Sequence, residues 1–399
     1  MPKGPLWDGR LISRSDRKSS AAKEAARGDL INTRDLNVHA KSRKTWDTAF
    51  IPAAIKGYKA MLIRRVAQLV EALGSQTDAT VDLSQCFDFM GDLAFGGGFE
   101  LMRDGDSDGL WHMMERGLYL PALTQQVPWC LGFLPYFSMA GKKESDALRK
   151  FALDQAKRRL QEGSIHNDLF YYLMDAKRLD AKPQPLPLVI SNATLAIVAG
   201  SDTSATVLSN TFFFLLSHPE SYDRLQSEID EAFPPGDKDP TDTALLSNLP
   251  YLTAVIKESL RLLPPVATSL QRAPTVGTGI SSFLKVPPSS FRLTQSIAIH
   301  GTFLRALTST SPTDGWQKIT TPEFVTNDDA FIPFSTGPAN CVGKNLAMLE
   351  IRMVVAHIMR AFELQFSDGY DTQRWEEDLK DYFVMQKGSL PVNLTRRTG

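Results

Sequence analysis

Residues 334–344 read Phe334-Ser335-Thr336-Gly337-Pro338-Ala339-Asn340-Cys341-Val342-Gly343-Lys344, the most informative stretch of the sequence. It places one cysteine immediately before an apolar helical run, Asn345 to Phe362. The N-terminus of a helix carries partial positive charge, which favours the thiolate form of Cys341. Gly337 and Gly343 lack side chains, so the backbone there can approach a flat ligand closely. A thiolate held in this way is a ligand for a soft metal centre such as haem iron.

The spacing Phe334-x-x-Gly337-x-x-x-Cys341-x-Gly343 resembles the haem-thiolate signature of the cytochrome P450 family. The resemblance implies that the cofactor is haem, iron protoporphyrin IX. It also implies that Cys341 is the axial ligand of the metal and that Phe334, Gly337 and Gly343 surround the cofactor. Taken alone, a lone cysteine of this kind is more often a buried structural thiol. Two further motifs, in the order that the family has them, favour the haem interpretation.

The second motif, residues 199–204 (AGSDTS), lies in the middle of a long apolar helix predicted from Leu188 to Ser217. Gly, Asp and Thr are poor residues for a helix interior, and Ser and Thr can bend a helix by bonding to the carbonyl four residues earlier. The segment resembles the oxygen-activating motif of the same family. By that resemblance, Thr203 would donate a hydrogen bond to the oxygen and Asp202 would relay protons. The alternative is a polar kink with no catalytic role.

The third motif is the pair Glu258 and Arg261, three residues apart in a helix predicted from Leu249 to Leu263, so that both lie on one face. Such pairs are common on helix surfaces, where they contribute little to stability. Their position before Cys341, with Pro264-Pro265 following directly, resembles the Glu-x-x-Arg pair of the family. The resemblance implies a buried structural pair that braces the loop around the haem. Loss of one partner of a buried pair costs about 3–5 kcal/mol.

Haem propionates are anions and require basic or polar partners. Arg272 stands where the family places a propionate-binding arginine. Nearer the N-terminus, the segment that contains His39, Arg43 and Trp46 resembles the family's tryptophan-bearing helix. The resemblance implies that these three side chains contact the cofactor. The alternative is the start of a solvated basic helix, and both interpretations fit the sequence equally well.

The composition is that of an ordinary globular protein of 399 residues, 43% hydrophobic and 22% charged, with a net charge of −1. This balance gives no indication of nucleic-acid binding. Three widely spaced cysteines argue against a disulfide framework and fit a reducing compartment. We find no apolar run of about 18 residues, and so expect no signal peptide or membrane anchor in this chain. Gly96-Gly97-Gly98 indicates a helix break rather than a dinucleotide-binding loop.

The spacing of apolar residues predicts a mainly α fold with a minor β component, which by the resemblance is a cytochrome P450-like helical fold. The main predicted helices cover 51–73, 81–95, 143–161, 167–175, 188–217, 221–233, 249–263 and 343–362, and a small sheet is predicted over 363–395. Residues 1–37 are polar and basic, so we expect them to be poorly ordered, and we expect 38–399 to form the haem domain.

Three features depart from the family pattern. The resemblance covers about residues 38–395, so only 38 residues stand where the membrane anchor, first sheet and earliest helices should take on the order of 100. The front portion is therefore expected to be missing. Residues 288–318 are rich in Ser and Thr and read as a divergent insert or an error in the gene model, with Gly315 where the family has arginine. Ala339 stands where many members carry Arg or His for a propionate.

Together the motifs imply an oxidoreductase, a haem-dependent monooxygenase closest to fungal microsomal members that act in secondary metabolism. It would insert one oxygen atom of O2 into a small apolar organic substrate, with electrons from NADPH through a separate NADPH-cytochrome P450 reductase. The family implies association with the endoplasmic reticulum membrane, whereas this chain without an anchor would be cytoplasmic. The alternatives are an inactive or truncated haem-binding member, a haem-thiolate isomerase or dehydratase, and a purely structural helical protein.

Overall fold

A computed structural model describes residues 29–31, 33, 35–77, 79–85, 93–94, 109, 116, 142–162, 168–174, 185–234, 240–267 and 331–397. Within these residues the chain is mainly helical, with a few short antiparallel strands, and this confirms the predicted fold class. The chain divides into two compact units. The first unit comprises Met1–Met61, Asp88–Ser201 and Ser269–Lys285. The second unit comprises Leu62–Phe87, Asp202–Thr268 and Val286–Gly399.

The helices and strands of the described residues follow the predicted order closely. The helices are α1 Leu36–Ala49, α2 Pro52–Gly74, α3 Lys142–Glu162, α4 Leu169–Leu173, α5 Leu186–Ser217, α6 Pro219–Ala232, α7 Thr243–Ser247, α8 Pro250–Leu262, α9 Lys344–Ala361 and α10 Gln373–Glu377. The strands are β1 Thr80–Asp82, β2 Phe362–Phe366, β3 Lys380–Tyr382, β4 Val384–Gln386 and β5 Pro391–Arg396.

In the first unit, a buried ion pair joins α3 to α4. Arg159 donates two hydrogen bonds to the carboxylate of Asp168, of 2.6 and 3.0 Å. The same carboxylate caps α4, because it accepts a hydrogen bond of 2.8 Å from the backbone N–H of Tyr171. A bidentate pair of this kind satisfies a buried carboxylate that would otherwise be costly to bury. The guanidinium group also lies 5.8 Å from the centre of the Phe170 ring.

In the second unit, a side chain from α6 caps α8. The carboxylate of Glu228 accepts hydrogen bonds of 2.8 Å from the backbone N–H groups of both Tyr251 and Leu252. The residue at the N-cap itself, Leu249, has no capping side chain. A carboxylate at the N-terminus of a helix satisfies the unpaired N–H groups there and lies opposite the positive end of the helix dipole. Glu228 therefore fixes where α8 starts relative to α6.

Helix α9 provides the apolar centre of the second unit, where it contacts α6, α7 and α8. Each fully buried aliphatic side chain contributes about 1.5–3 kcal/mol relative to an exposed one. The helix ends at Ala361, and Phe362 continues the chain directly into β2. The buried apolar residues of α9 are Leu346, Met348, Ile351, Met353, Val354, Val355, Ala356, Ile358 and Met359.

Two small antiparallel sheets complete the second unit. The first has the strand order β1-β5-β2, with Val81 opposite Val392 and Leu364 opposite Leu394. The second is the hairpin of β3 and β4, in which Tyr382 pairs with Val384 across a turn at Phe383. Phe383 has a φ of 79°, an unusual conformation for a residue with a side chain. The sequence predicts this sheet region, but not the short helix α10 inside it.

The prediction of a helix from Val81 to Phe95 is wrong at its start. Residues Thr80–Asp82 form β1, and Leu83–Gln85 form a single 3-10 turn. Val81 is buried, and its β-branched side chain fits a strand that pairs with β5. The spacing of apolar residues could not show this, because the partner strand lies more than 300 residues later in the chain.

Helix α5 is, among the described residues, the single helix that is long and apolar enough to cross a membrane by length and composition. The expectation that the chain contains no apolar run of about 18 residues is therefore wrong for this helix. The evidence for a membrane span is weak, since the core helix of a soluble protein passes the same test. Several residues of α5, such as Phe212 and Leu208, are fully buried in the protein, as in a core helix.

Tyr222 offers a test of how α6 holds the sheet. Its hydroxyl accepts a buried hydrogen bond of 3.1 Å from the backbone N–H of Leu364 in β2. We expect Tyr222→Phe to lower the free energy of unfolding by about 1–3 kcal/mol at neutral pH, because this buried N–H would lose its acceptor. Urea denaturation measures the loss, and Tyr171→Phe, at a half-buried tyrosine of α4, is the control.

The same variant carries a pH signature. Burial raises the pKa of Tyr222 from 10.0 to about 12. Between pH 10 and 12 the folded state therefore keeps the hydroxyl proton of Tyr222, whereas the unfolded state loses it. The contribution of Tyr222 to the free energy of unfolding is complete below pH 10 and is lost as the pH rises towards 12. Over this window the wild type should lose more stability than Tyr222→Phe, and the two curves should converge. Parallel curves would contradict the assignment.

Candidate functional site

The loop that carries Cys341 is closed by its own backbone. The N–H of Cys341 donates a hydrogen bond of 2.8 Å to the carbonyl oxygen of Phe334, so the cysteine is bonded directly to the first residue of the motif. Between them, Ser335 and Gly337 have φ values of 58° and 73°. Gly337 suits this left-handed conformation, whereas Ser335 is strained in it. Strain of this kind is found where a loop must present a side chain in one fixed position.

The thiol of Cys341 is exposed and forms no disulfide. The alternative interpretation of Cys341 as a buried structural thiol is therefore wrong. Helix α9 begins at Lys344 with Gly343 as its N-cap, as the sequence predicts to within one residue, and no side chain caps it. The ammonium group of Lys344 lies 5.7 Å from the centre of the Phe334 ring, which places a positive charge beside the loop. Both the helix N-terminus and this charge favour a thiolate.

The second motif lies on α5, which continues through residues 199–204 without interruption. Asp202 and Ser204 are buried, and Thr203 between them is half-buried. The hydroxyl of Ser204 donates a buried hydrogen bond of 3.0 Å to Oε2 of Glu350, on α9. The motif helix is therefore tied to the helix that follows Cys341. The sequence analysis did not predict a role for Glu350. An acidic residue inside the apolar run of α9 was a signal that could have indicated one.

Asp202 lies beside Lys387, which follows β4. The distance from Nζ of Lys387 to Oδ1 of Asp202 is 3.9 Å, and the two side chains are only 4% and 9% exposed. This is a buried ion pair whose separation exceeds that of a direct hydrogen bond. Lys387 was also missed, and nothing in its local sequence indicates that it reaches the motif.

Two more polar residues of α5 hold neighbouring segments of the second unit. One helical turn after Asp202, the hydroxyl of Thr206 donates a hydrogen bond of 3.2 Å to the carbonyl of Met385 in β4. One turn further, the Asn210 amide donates to the carbonyl of Leu263 at 3.0 Å and accepts a bond of 3.2 Å from Nε1 of Trp375. Together with Asp202, these residues form one face of α5, which we call the polar stripe (Asp202, Thr206, Asn210).

Glu258 and Arg261 pair on α8 as their spacing predicts. Two hydrogen bonds of 2.8 and 2.6 Å join the guanidinium group to both carboxylate oxygens. The side chains are 12% exposed for Arg261 and 30% for Glu258, so within the described part of the chain the pair is half-buried. Beyond this helix, the carbonyl of Pro265 accepts a hydrogen bond of 2.8 Å from the N–H of Met385, which joins the end of α8 to the β3–β4 hairpin.

Trp46, Arg43 and His39 all lie on α1, in the first unit. Trp46 is buried and stacks on Phe50, with the ring centres 6.1 Å apart. Its Nε1 has no hydrogen-bond acceptor among the groups that the structure describes. Arg43 donates a hydrogen bond of 2.7 Å to Asp47, and His39 is buried. Arg272, residues 288–318 and Gly315 lie outside the described residues.

Comparison with known proteins identifies the family. The family profile for cytochrome P450 matches residues 9–288 and 314–393, which is most of the chain. The chain belongs to the cytochrome P450 family. The match begins at residue 9 and so takes in most of residues 1–37, in addition to the region from residue 38 onwards that carries the motifs. It is interrupted between residues 288 and 314.

Curated relatives of the chain are fungal cytochrome P450 monooxygenases, which are oxidoreductases. The chain is 30% identical over 385 residues to a cytochrome P450 monooxygenase of Aspergillus versicolor, an alignment that covers 92% of this chain and 68% of the relative. It is 30% identical over 383 residues to one from Fusarium pseudograminearum, with shares of 92% and 67%. It is also 30% identical over 398 residues to the tryprostatin B 6-hydroxylase of Neosartorya fischeri, with shares of 92% and 68%. The chain thus spans about two-thirds of the length of these relatives.

Family membership implies a haem-thiolate cofactor, and two features of this chain fit it. The first is the exposed thiol of Cys341 in a loop next to a helix N-terminus. The second is the buried Nε1 of Trp46, which lacks an acceptor in the described part of the protein and could donate to an anion. The thiol meets the need of haem iron for a ligand, and the indole N–H meets the need of a haem carboxylate for a donor.

Ser204 offers a test of the link between α5 and α9. We expect Ser204→Ala to lower the free energy of unfolding by about 1–3 kcal/mol, because the buried carboxyl group of Glu350 would lose a donor. The control is Ser227→Ala, which removes an exposed hydroxyl bonded to Asp223 of its own helix, and should change stability by less than about 0.5 kcal/mol. Equal losses in urea denaturation of the two variants would argue against a specific link.

Proposed function

We propose that this protein is a haem-dependent monooxygenase that inserts one oxygen atom of O2 into a small apolar organic substrate. The observation that carries the proposal is the exposed Cys341 thiol, presented by a strained and self-bonded loop in a chain of the cytochrome P450 family. Cys341 is the residue that would bind the iron as a thiolate. When bound, a haem with such a ligand supplies the oxygen-activating chemistry.

The loop residues would serve the cofactor through shape. The hydrogen bond from the N–H of Cys341 to Phe334 holds the loop around the sulfur in one conformation. Gly337 has a left-handed backbone conformation and no side chain, so a flat cofactor could approach the backbone of the loop closely there. Gly343, as the N-cap, leaves the first N–H groups of α9 without a competing side chain. The sulfur thus lies in a positively polarised environment, which favours the thiolate form.

Asp202 and Thr203 are the residues that we propose for proton delivery. Asp202 is buried beside a lysine, so its carboxylate can be kept charged inside the protein and can accept and release a proton. Thr203 is the next residue and is half-buried, and its hydroxyl would donate to the oxygen that is being activated. Ser201, Asp202 and Ser204 around Thr203 are all buried.

The remaining proposed roles follow the family. On α1, Trp46 would donate its indole N–H to a haem propionate, and Arg43 and His39 are proposed as further contacts, together with Arg272. Glu258 and Arg261 would act as the structural pair of the second unit. Electrons would come from NADPH through a separate NADPH-cytochrome P450 reductase. We also propose, from family membership, association with the endoplasmic reticulum membrane and a place in secondary metabolism.

The decisive experiment on the cofactor compares wild type with Cys341→Ser. The reduced, carbon monoxide-bound wild type should show the red-shifted Soret band that is typical of thiolate-ligated haem, because a thiolate donates electron density to the iron. Cys341→Ser should lose this band. A wild-type spectrum typical of haem with a histidine or a neutral axial ligand would favour the inactive alternative and overturn the proposal. The absence of bound haem would do the same.

Thr203 tests oxygen activation separately from haem binding. Thr203→Ala should bind haem normally, but a larger share of the NADPH electrons should end as hydrogen peroxide, and product formation should fall by about 10²-fold, as expected for loss of one proton-transfer group. The control is Thr194→Ala on the same helix, where the hydroxyl bonds to the carbonyl of Ile190. Turnover that needs no NADPH would indicate an isomerase or dehydratase instead.

A further inference from the structure

We propose that Lys387 is a positioning residue for Asp202, and that it sets the efficiency of proton delivery by holding the Asp202 carboxylate in place. The inference rests on the proposed function, because it concerns the same proton-transfer residue. It goes beyond it by assigning a role to a residue outside every motif in the sequence.

The ion pair is buried on both sides, which makes it specific. The side chains of Lys387 and Asp202 are 4% and 9% exposed, with 3.9 Å between Nζ and Oδ1. A buried carboxylate needs a nearby positive charge, because removal of one partner leaves an uncompensated charge inside the protein. At this separation the ammonium group neutralises the carboxylate without a direct hydrogen bond to it. The carboxylate can therefore stay ionised and still exchange a proton with another group.

The backbone that carries Lys387 is itself held at two residues. Met385 is bonded on both sides, because its carbonyl accepts from Thr206 at 3.2 Å and its N–H donates to the carbonyl of Pro265 at 2.8 Å. Gly388 packs closely against another side chain. A Cβ at this glycine would lie 2.7 Å from Cβ of Asp378, so a larger residue would force the segment to move. Lys387 lies between these fixed points.

Lysine on its own is a poor positioning group, since its long stem has many rotamers. Here the anchored backbone and the buried environment remove that freedom before the reaction begins. The entropic cost of ordering the Lys387 side chain is therefore met during folding, and does not recur in each catalytic cycle. The segment that follows β4 and carries Lys387 thereby takes part in proton delivery, whereas β3 has no such role.

The first test measures the pairing without any activity. Urea unfolding midpoints are compared for the wild type, Lys387→Met, Asp202→Asn and the double variant, all as the haem-loaded full chain. Each single variant should lower the midpoint, and the double variant should lose less than the two single losses added together. Additive losses would show that the two groups do not interact, and would overturn the proposal.

The second test separates positioning from simple structural support. NADPH consumption with reductase is measured in H2O and D2O without added substrate, together with the share of electrons released as hydrogen peroxide. Lys387→Met and Asp202→Asn should each raise both the solvent isotope effect and the peroxide share at least twofold, and Lys387→Arg should give values near wild type. The matched control is Lys380→Met, an exposed lysine of the same hairpin, which should change neither quantity.

The outcomes distinguish the two proposals. If Lys387→Met lowers the urea midpoint but leaves the isotope effect and peroxide share unchanged, Lys387 is only structural and this inference fails, while the haem monooxygenase proposal stands. If the wild type itself lacks the carbon monoxide spectrum of thiolate-ligated haem, the proposed function fails first. Where Lys387→Met folds too poorly to be assayed, Gly388→Ala displaces the same segment and should produce the same rise in peroxide share.

Discussion

The second unit depends on one constraint, which is that a mostly apolar helix carries polar side chains into the protein interior. Each buried polar group must find a partner there, because leaving it without one costs about 1–3 kcal/mol. The partners of α5 come from segments far apart in sequence, and each contact fixes one of those segments against the helix. These contacts are Asp202 with Lys387, Ser204 with Glu350, Thr206 with Met385, and Asn210 with Leu263 and Trp375.

This constraint gives α5 a role beyond that of a core helix. Apolar packing alone tolerates many arrangements of similar volume, whereas a buried hydrogen bond fixes distance and orientation together. The polar stripe therefore specifies where the β3–β4 hairpin and the end of α8 lie on α5. The Ser204–Glu350 bond does the same for α9, and through it for the Cys341 loop. The chemistry proposed for Asp202 and Thr203 uses a helix whose neighbours are already fixed by their polar contacts.

The conformation of the Cys341 loop, in contrast, is fixed by contacts between residues close together in the sequence. The bond from Cys341 to Phe334 closes the loop within a few residues, and Gly337 adopts the conformation that the turn requires. Local features of this kind can be read from the sequence, and the helix that follows was predicted to within one residue at each end. The i, i+3 spacing of Glu258 and Arg261 is local in the same way, and their pairing was predictable. How deeply that pair is buried was not, because burial depends on what packs over it.

The helical class, the order of most elements and the three motifs that point to a haem-thiolate protein could all be predicted from the sequence. This was possible because helix periodicity, loop glycines and i, i+3 pairs are set by neighbours in the chain. Long-range packing, in contrast, places Val81 in a strand and brings Glu350 and Lys387 to the motif of α5. Lys387 and Asp202 are separated by most of the second half of the chain, and no local pattern records which buried charge will need which partner. That choice is made when the helices and the hairpin pack, since only then does the cost of an unpaired buried charge select the partner.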